Sequence, residues 1–265
     1  MSIALQVALV MVTILVILLI IGAPIGVAIG LSSAVSMICM IPANVSFATS
    51  AQRIFAGSNS FSLIAIPFFI LAGNIMNNGG IATRLVNCAK VIAGRMPGAL
   101  AQSNVVANML FGAISGSGAA AAAAMGSTIG PLEDKEGYDK NYSVAVNTAS
   151  APVGMLIPPS NTMIVYSSIA GSVSIAALFM AGYIPGILWG LACMLVVYVI
   201  AKKKGYRATT RFTASEAGKI ILQALPCLLL IVIVIGGIIF GIFTATEGSV
   251  VAVVYRLLLS LFVSK

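Results

Sequence analysis

The chain has 265 residues, of which 60% are hydrophobic and 8% are charged, with a formal net charge of +8. Soluble globular domains contain roughly half apolar and roughly a quarter charged residues, so this composition excludes a soluble domain and indicates an integral membrane protein whose apolar surface faces lipid. The basic residues flank apolar runs, which favours the anionic headgroups of a lipid bilayer and predicts no nucleic-acid partner.

The chain contains no histidine, and its four cysteines are widely separated. Zinc, haem and His-based catalytic sites therefore lack their usual side chains. We predict that the protein is not an enzyme and that it binds no organic cofactor.

Residues 1–95 are predicted to form N-terminal transmembrane helices. Three apolar runs are separated by breaks, at residues 3–21, 25–41 and 61–76. A helix needs about 20 apolar residues to cross about 30 Å of hydrocarbon, so each run is interpreted as one span. The basic residues that follow the third run are Arg84, Lys90 and Arg95. Because basic loops face the cytoplasm, the N-terminus is predicted to be periplasmic.

Residues 96–201 are predicted to be a transport-type region that opens with a re-entrant helical hairpin, at residues 97–131. This uncharged stretch contains Ser115-Gly116-Ser117-Gly118, which is a poor helix centre but a good turn. If the stretch crossed the membrane once, the lysine cluster at residues 202–204 would face the periplasm, against the positive-inside rule. A hairpin that enters and returns on the cytoplasmic face puts these lysines inside.

A mixed-charge cluster at residues 133–140 is interpreted as a solvated cytoplasmic loop. The segment that follows, residues 141–170, is predicted to be a broken helix, because Pro152, Pro158 and Pro159 remove amide donors and leave carbonyl oxygens without partners. Backbone of this kind at membrane depth has to be buried in protein or line a cavity.

Residues 202–265 are predicted to comprise a basic cytoplasmic loop, an interfacial helix at residues 213–219, and spans at residues 220–243 and 250–263. Glu247 is interpreted as a first-turn residue of a helix capped by a preceding threonine, with a role in the transport path or in a partner contact left open. The whole pattern predicts an all-α, multi-pass integral membrane protein with about seven transmembrane helices plus one re-entrant hairpin.

The two broken, polar segments form the predicted binding site. Carbonyl and hydroxyl oxygens bind hard cations, and the amide ends of half helices favour anions. The predicted Na⁺ ligands are Ser115, Gly116, Ser117, Ser150, Pro152, Gly154 and Pro158. The predicted substrate contacts are Gly118, Pro159, Ser160, Asn161 and Thr162. A proline kink that serves only helix packing is the open alternative.

At these residues the chain resembles the large membrane subunit of tripartite ATP-independent periplasmic (TRAP) transporters, the DctM family. The segments that carry the resemblance are residues 57–73, 115–118, 157–160 and 241–247. The resemblance implies a Na⁺-coupled, binding-protein-dependent permease of the bacterial inner membrane that takes up C4-dicarboxylates or similar small carboxylates. It also implies an elevator-type fold of inverted repeats, and two protein partners, a small TRAP membrane subunit and a periplasmic substrate-binding protein.

Such subunits are usually longer, so the resemblance implies that the second repeat begins within residues 202–265 and is largely missing. Two other functions stay open. One is a dicarboxylate/Na⁺ symporter that works without a binding protein, since Ser160-Asn161-Thr162 is similar to a motif of those proteins. The other is a truncated remnant that does not transport.

Overall fold

The computed structural model describes residues 3–78, 80–171, 173–206 and 212–263, and every regular element in these ranges is a helix. The chain divides into two compact units, residues 1–60 and residues 61–265. The predicted all-α class is therefore confirmed. Residues 207–211, part of the predicted basic loop, lie outside the described residues.

The first unit consists of three helices, α1 (Ile3–Ile20), α2 (Ile25–Ile38) and α3 (Ala43–Ser58). Pro24 and Pro42 occupy the N-cap positions of α2 and α3, where a missing backbone N–H breaks no helical hydrogen bond. The Ser46 hydroxyl donates a 2.6 Å hydrogen bond to the Ala34 carbonyl and joins α3 to α2. No residue of α1 is buried, as expected for a helix that faces lipid.

The second unit is built around one buried helix. Its helices are a short 3₁₀ turn (Phe61–Ile64), α4 (Ala65–Asn78), α5 (Ile81–Ala93), α6 (Ala99–Ser115), α7 (Gly118–Thr128), α8 (Gly130–Lys135), α9 (Lys140–Ser150), α10 (Val153–Leu156), α11 (Asn161–Ala170), α12 (Ile175–Lys204), α13 (Ala214–Ile239) and α14 (Ala245–Val263). All of α6 is buried except Met109 and Leu110. It is surrounded by α5, α7, α9, α10 and α12.

Three of the described helices, α1, α12 and α13, are each long and apolar enough to cross a membrane. They are 18, 30 and 26 residues long, against the roughly 20 residues that a bilayer requires. These helices agree with an integral membrane protein. The predicted number of spans and the re-entrance of the hairpin into the bilayer stay predictions.

The end of α12 contacts two segments of the second unit, the start of α6 and the loop before α9. The Gly98 amide, just before α6, donates to the Tyr206 carbonyl at 3.0 Å, and the Asp139 amide, beyond α8, donates to the Tyr206 hydroxyl at 3.0 Å. Lys204 forms a salt bridge of 3.1 Å with Asp139, whose pKa is lowered by the hydrogen bonds from Lys204 and from backbone amides. The start of α6 and the segment between α8 and α9 therefore both contact the end of α12, beside Lys204.

The predicted interfacial helix at residues 213–219 and the span predicted after it form one continuous helix, and the interfacial position stays a prediction. Helix α13 runs without interruption from Ala214 to Ile239. Thr213 and Glu216 form a capping box that starts this helix, and no helix-breaking residue follows until Pro226, which is accommodated inside it. The amphipathic beginning and the apolar remainder are thus one helix.

Helix α14 begins with a second capping box. The Thr244 amide donates to Glu247 Oε2 at 2.8 Å, and the Glu247 amide donates to the Thr244 hydroxyl at 3.3 Å. The interpretation of Glu247 as a capped first-turn residue is therefore confirmed, since its carboxylate is used at the helix start.

Candidate functional site

The turn between α6 and α7 is formed by Gly116 and Ser117. Gly116 has a φ of +65°, in the left-handed region that favours glycine, and its amide donates to the Gly112 carbonyl at 2.8 Å. A Cβ atom added to Gly116 would lie 2.7 Å from the Pro159 carbonyl oxygen. Glycine is thus required here both by the turn and by the close approach of the second broken segment.

The two polar segments selected from the sequence lie against one another. The Asn161 amide donates to the Gly116 carbonyl at 3.3 Å, and a Cβ on Gly118 would lie 3.0 Å from the Ala151 carbonyl. We call the junction of Ser115, Gly116, Ser117, Pro159, Ser160 and Asn161 the tip site. Three of its six members were predicted as ion ligands and three as substrate contacts.

Two helices begin at the tip site and two end beside it. Ser117 caps the N-terminus of α7 by accepting from the Ala120 amide at 3.3 Å, and Ser160 caps α11 by accepting from the Met163 amide at 3.4 Å. Helix α6 ends at Ser115, and the short helix α10 ends just before the double proline. Amide ends attract anions and carbonyl ends attract cations, so this junction can hold both signs of charge.

The tip site contains an acceptor without a partner. Asn161 Oδ1 is buried and has no hydrogen-bond partner among the described residues. The Ser115 hydroxyl has two long contacts, since it donates to the Ser117 carbonyl at 3.3 Å and accepts from the Ser117 amide at 3.4 Å. An unpaired buried oxygen costs free energy, which a hard cation bound among amide and carbonyl oxygens would recover. The residues of the tip site therefore fit Na⁺ as a ligand.

Other predicted ligands have different surroundings. The Ser150 hydroxyl donates to the Val146 carbonyl at 2.8 Å and accepts from Asn108, so its hydrogen bonds lie on α9 and α6 rather than at the turn. Gly154 packs directly on Gly112, since a Cβ on Gly112 would lie 2.1 Å from the Gly154 Cα. The remaining predicted residues are Pro152, which precedes α10, the buried Pro158, and Thr162, which is exposed in the first turn of α11.

Comparison with known proteins decides the family. Residues 12–265 match the family described as "Tripartite ATP-independent periplasmic transporter, DctM component". The chain belongs to the DctM family. Together with the apolar helices, this membership indicates a multi-pass protein of the inner membrane.

Several relatives of this DctM-family chain are named for what they carry. The "C4-dicarboxylate TRAP transporter large permease protein DctM" of Pseudomonas aeruginosa is 40% identical over 88% of this chain and 54% of its own length. The "Sialic acid TRAP transporter permease protein SiaT" of Haemophilus influenzae is 39% identical over 82% of this chain and 35% of its own length. An uncharacterized protein of Salmonella typhimurium, YgiK, is 51% identical over 86% of this chain and 53% of its own length. The chain spans about half the length, or less, of these curated relatives.

The DctM-family chain also has a buried charge that the sequence analysis missed. Arg256 of α14 is 2% exposed, and its Nη2 donates to the Ile114 carbonyl at 2.6 Å. Its Nε and Nη1 have no partner among the described residues. Ile114 is in the last turn of α6, so the guanidinium satisfies a carbonyl at a helix C-terminus. A lone charge within an apolar run was the signal that could have identified it.

The interpretation of residues 133–140 as a solvated loop is wrong for Glu133 and Tyr138. Glu133 is 0% exposed and Tyr138 is 7% exposed. Both oxygens of Glu133 lack a hydrogen-bond partner among the described residues, and burial raises its pKa from 4.5 to about 7, while Ser143 and Asn104 oppose the rise. Because α8 is only six residues long, no helical periodicity in the sequence could have marked its inner face.

A row of amide side chains lies along α6 between the Glu133 cavity and the tip site. Asn108 Nδ2 lies 2.9 Å from Asn104 Oδ1, 3.0 Å from Asn147 Oδ1 and 2.8 Å from the Ser150 hydroxyl. Positions 104, 108, 112 and 115 follow the helical spacing that puts residues on one face of α6. This face therefore leads from the cavity beside Glu133, which Asn104 lines, to the turn at Gly116.

Proposed function

We propose that this chain forms part of the permease subunit of a Na⁺-coupled secondary transporter that takes up small organic acids across the bacterial inner membrane. The tip site is the observation that supports the proposal. It combines two helix N-termini, two helix C-terminal ends and an unpaired buried amide oxygen in one junction. Membership of the DctM family supports the same function.

In this proposal the oxygens of the tip site hold the ion. The Ser115 hydroxyl, the carbonyls of Gly116 and Pro159, and Asn161 Oδ1 are the ligands. These atoms come from both broken segments, so an ion that they share stabilises the arrangement in which the Gly116 carbonyl accepts from the Asn161 amide. When bound, Na⁺ supplies a positive charge that lowers the cost of placing an anion at the same junction.

The N-termini of α7 and α11 bind the substrate carboxylate. Their first amides are unpaired within the helix, and Ser117 and Ser160 each satisfy only one of them. Because the ion and the carboxylate use the same two segments, binding of each favours binding of the other, and this reciprocity is what coupled transport requires.

The substrate class follows from the relatives. Those with printed substrates are named for C4-dicarboxylates, sialic acid and isethionate, all of which are organic acids. We infer a C4-dicarboxylate or a similar carboxylate. The proposed partners are a small membrane subunit and a periplasmic substrate-binding protein.

Uptake of labelled succinate into proteoliposomes tests the proposal, with the chain assembled with its small subunit and its binding protein. We expect an inward Na⁺ gradient to drive uptake and an equal K⁺ gradient to fail. Asn161→Ala should lower uptake at least tenfold, whereas the matched change Asn141→Ala, at an exposed position of α9, should not. Uptake that is equal with Na⁺ and K⁺ would exclude Na⁺ coupling.

The same assay separates the alternative symporter. Ser160-Asn161-Thr162 forms the first turn of α11, at the tip site, which favours an ion-coupled carboxylate carrier of either kind. Uptake that persists when the binding protein is omitted would support the symporter that works alone.

A further inference from the structure

A cavity with polar lining residues lies away from the tip site, at the end of the molecule that carries the Lys204–Asp139 pair. It has a volume of about 220 Å³ and is lined by residues of α6, α7, α8 and α9. Its lining includes Glu133, Asn104, Ser143 and Asn147, which we call the Glu133 site. A water molecule occupies about 30 Å³ in the liquid, so the cavity can hold an ion with several of its waters.

The Glu133 site has more acceptors than donors. Glu133 Oε1, Glu133 Oε2 and the Ser143 hydroxyl are all buried without a hydrogen-bond partner among the described residues. Asn104 and Asn147 both accept hydrogen bonds from Asn108 Nδ2 through their Oδ1 atoms. One amide group is therefore the donor to both carbonyls. The Ser143 and Asn104 side chains are close enough to Glu133 to oppose the rise in its pKa, but neither carries a positive charge. A buried carboxylate without a countercharge is among the most costly groups in a protein, and it is normally paired or bound to a cation.

The charged groups around the cavity do not provide that partner. Lys140 of α9 and Asp134 of α8 also line the cavity, but both are exposed, and Lys140 forms no salt bridge with Glu133. The parts of α6 and α7 that line the cavity contribute no charged residue. The negative charges of Asp134 and Glu136 make the site still more attractive to a cation.

We propose that the Glu133 site binds a small monovalent cation through the carboxylate, the Ser143 hydroxyl and water in the cavity, with a proton as its competitor. One carboxylate with neutral oxygen ligands balances one positive charge, which favours an alkali cation over a divalent one. The site is separate from the tip site and does not depend on the proposed transport function.

Competition with a proton gives the site a measurable signature. The pKa of Glu133 is raised to about 7 by burial, and the charges of Asp134 and Glu136 add to the rise. Binding of a cation requires the deprotonated carboxylate, so it releases a proton. The deprotonated fraction rises from about one tenth at pH 6 to about nine tenths at pH 8, so apparent affinity should increase about tenfold over this interval.

Thermal unfolding of the purified full chain in nanodiscs tests the proposal, with NaCl titrated at constant ionic strength against choline chloride. The Asn161→Ala background removes the response of the tip site. In this background we expect saturable stabilisation by Na⁺ that is about tenfold more sensitive at pH 8 than at pH 6. Glu133→Gln should abolish it, and Glu216→Gln, at an exposed position in the first turn of α13, should leave it unchanged.

A second measurement covers the case in which Glu133→Gln does not fold. Addition of NaCl at pH 7 to the Asn161→Ala chain in weakly buffered solution should release about half a proton per bound ion, as reported by a pH dye. A Na⁺ response that Glu133→Gln retains, or an absence of proton release, would overturn the proposal.

Discussion

The tip site and the Glu133 site lie along the same face of α6, on which Ser115 and Asn104 are about 16 Å apart along the helix axis. The two sites differ in the chemical groups that form them. The tip site is made mostly of backbone and uncharged side chains, at a turn that a glycine permits. The Glu133 site is made of side chains and includes one ionisable ligand, buried without a partner. Affinity at the first site should therefore be almost independent of pH near neutrality, and affinity at the second should follow the titration of one carboxylate.

The largest effect should come from the contact that positions the tip site. In Gly112→Ala the new Cβ would lie 2.1 Å from the Gly154 Cα, so α6 and α10 must separate. Overpacking of this kind costs about 3 kcal/mol or more when backbone has to move. We expect loss of succinate uptake and a clear fall in melting temperature.

The control for this change is Gly218→Ala, in α13, because a Cβ there meets no atom within 4 Å. It should raise stability slightly, since alanine is the better helix former. Equal behaviour of the two variants would show that the α6–α10 contact is not essential.

An intermediate effect is expected from Glu133→Gln in the absence of metal cations. The folded pKa of Glu133 lies above its ordinary value of 4.5, so the folded state binds the proton more tightly than the unfolded state. Stability should therefore fall as pH rises through the interval from about 4.5 to about 7, by at most about 3 kcal/mol. Glu133→Gln should remove this loss and be the more stable protein at pH 8.

Asp139 provides the opposite case in the same segment, because its pKa is lowered by Lys204 at an exposed position. Asp139→Asn should lose a small stabilisation that is present at neutral pH and is screened by salt. Unfolding curves of Glu133→Gln and Asp139→Asn from pH 4 to pH 8 check the direction in which the stability of each variant changes with pH. A profile for Glu133→Gln that parallels the unchanged chain would show that the pKa of this carboxyl is the same in the folded and unfolded states.

A smaller effect than that of Glu133→Gln is expected from Arg256→Met. The change leaves the Ile114 carbonyl without its donor but also removes a buried cation with two unpaired nitrogens, and these effects partly cancel. We expect a net destabilisation of about 1 kcal/mol. Removal of the positive charge should strengthen Na⁺ binding at the tip site roughly fivefold, as measured by titration at pH 6, where the Glu133 site is mostly protonated. Weaker Na⁺ binding would instead indicate that Arg256 organises the turn.

The location of the tip site was predictable because it depends on local backbone chemistry. A Ser-Gly-Ser-Gly sequence interrupts a helix wherever it occurs, and Pro158 and Pro159 lack amide donors in any environment. The capping role of Glu247 was predictable for the same reason, since Thr244 is its neighbour in sequence. The family motifs coincide with these residues.

The sequence by itself thus determined the membrane class, the family and the positions of the two breaks. Only the tertiary structure showed that Glu133 is buried in a cavity, that Ser150 bonds to Asn108, and that Arg256 reaches the Ile114 carbonyl across 142 positions. Local conformation follows from the φ preference and hydrogen-bonding capacity of each residue. The burial and partners of a polar side chain depend on helices that are distant in sequence, and composition and spacing contain no record of which helices will meet.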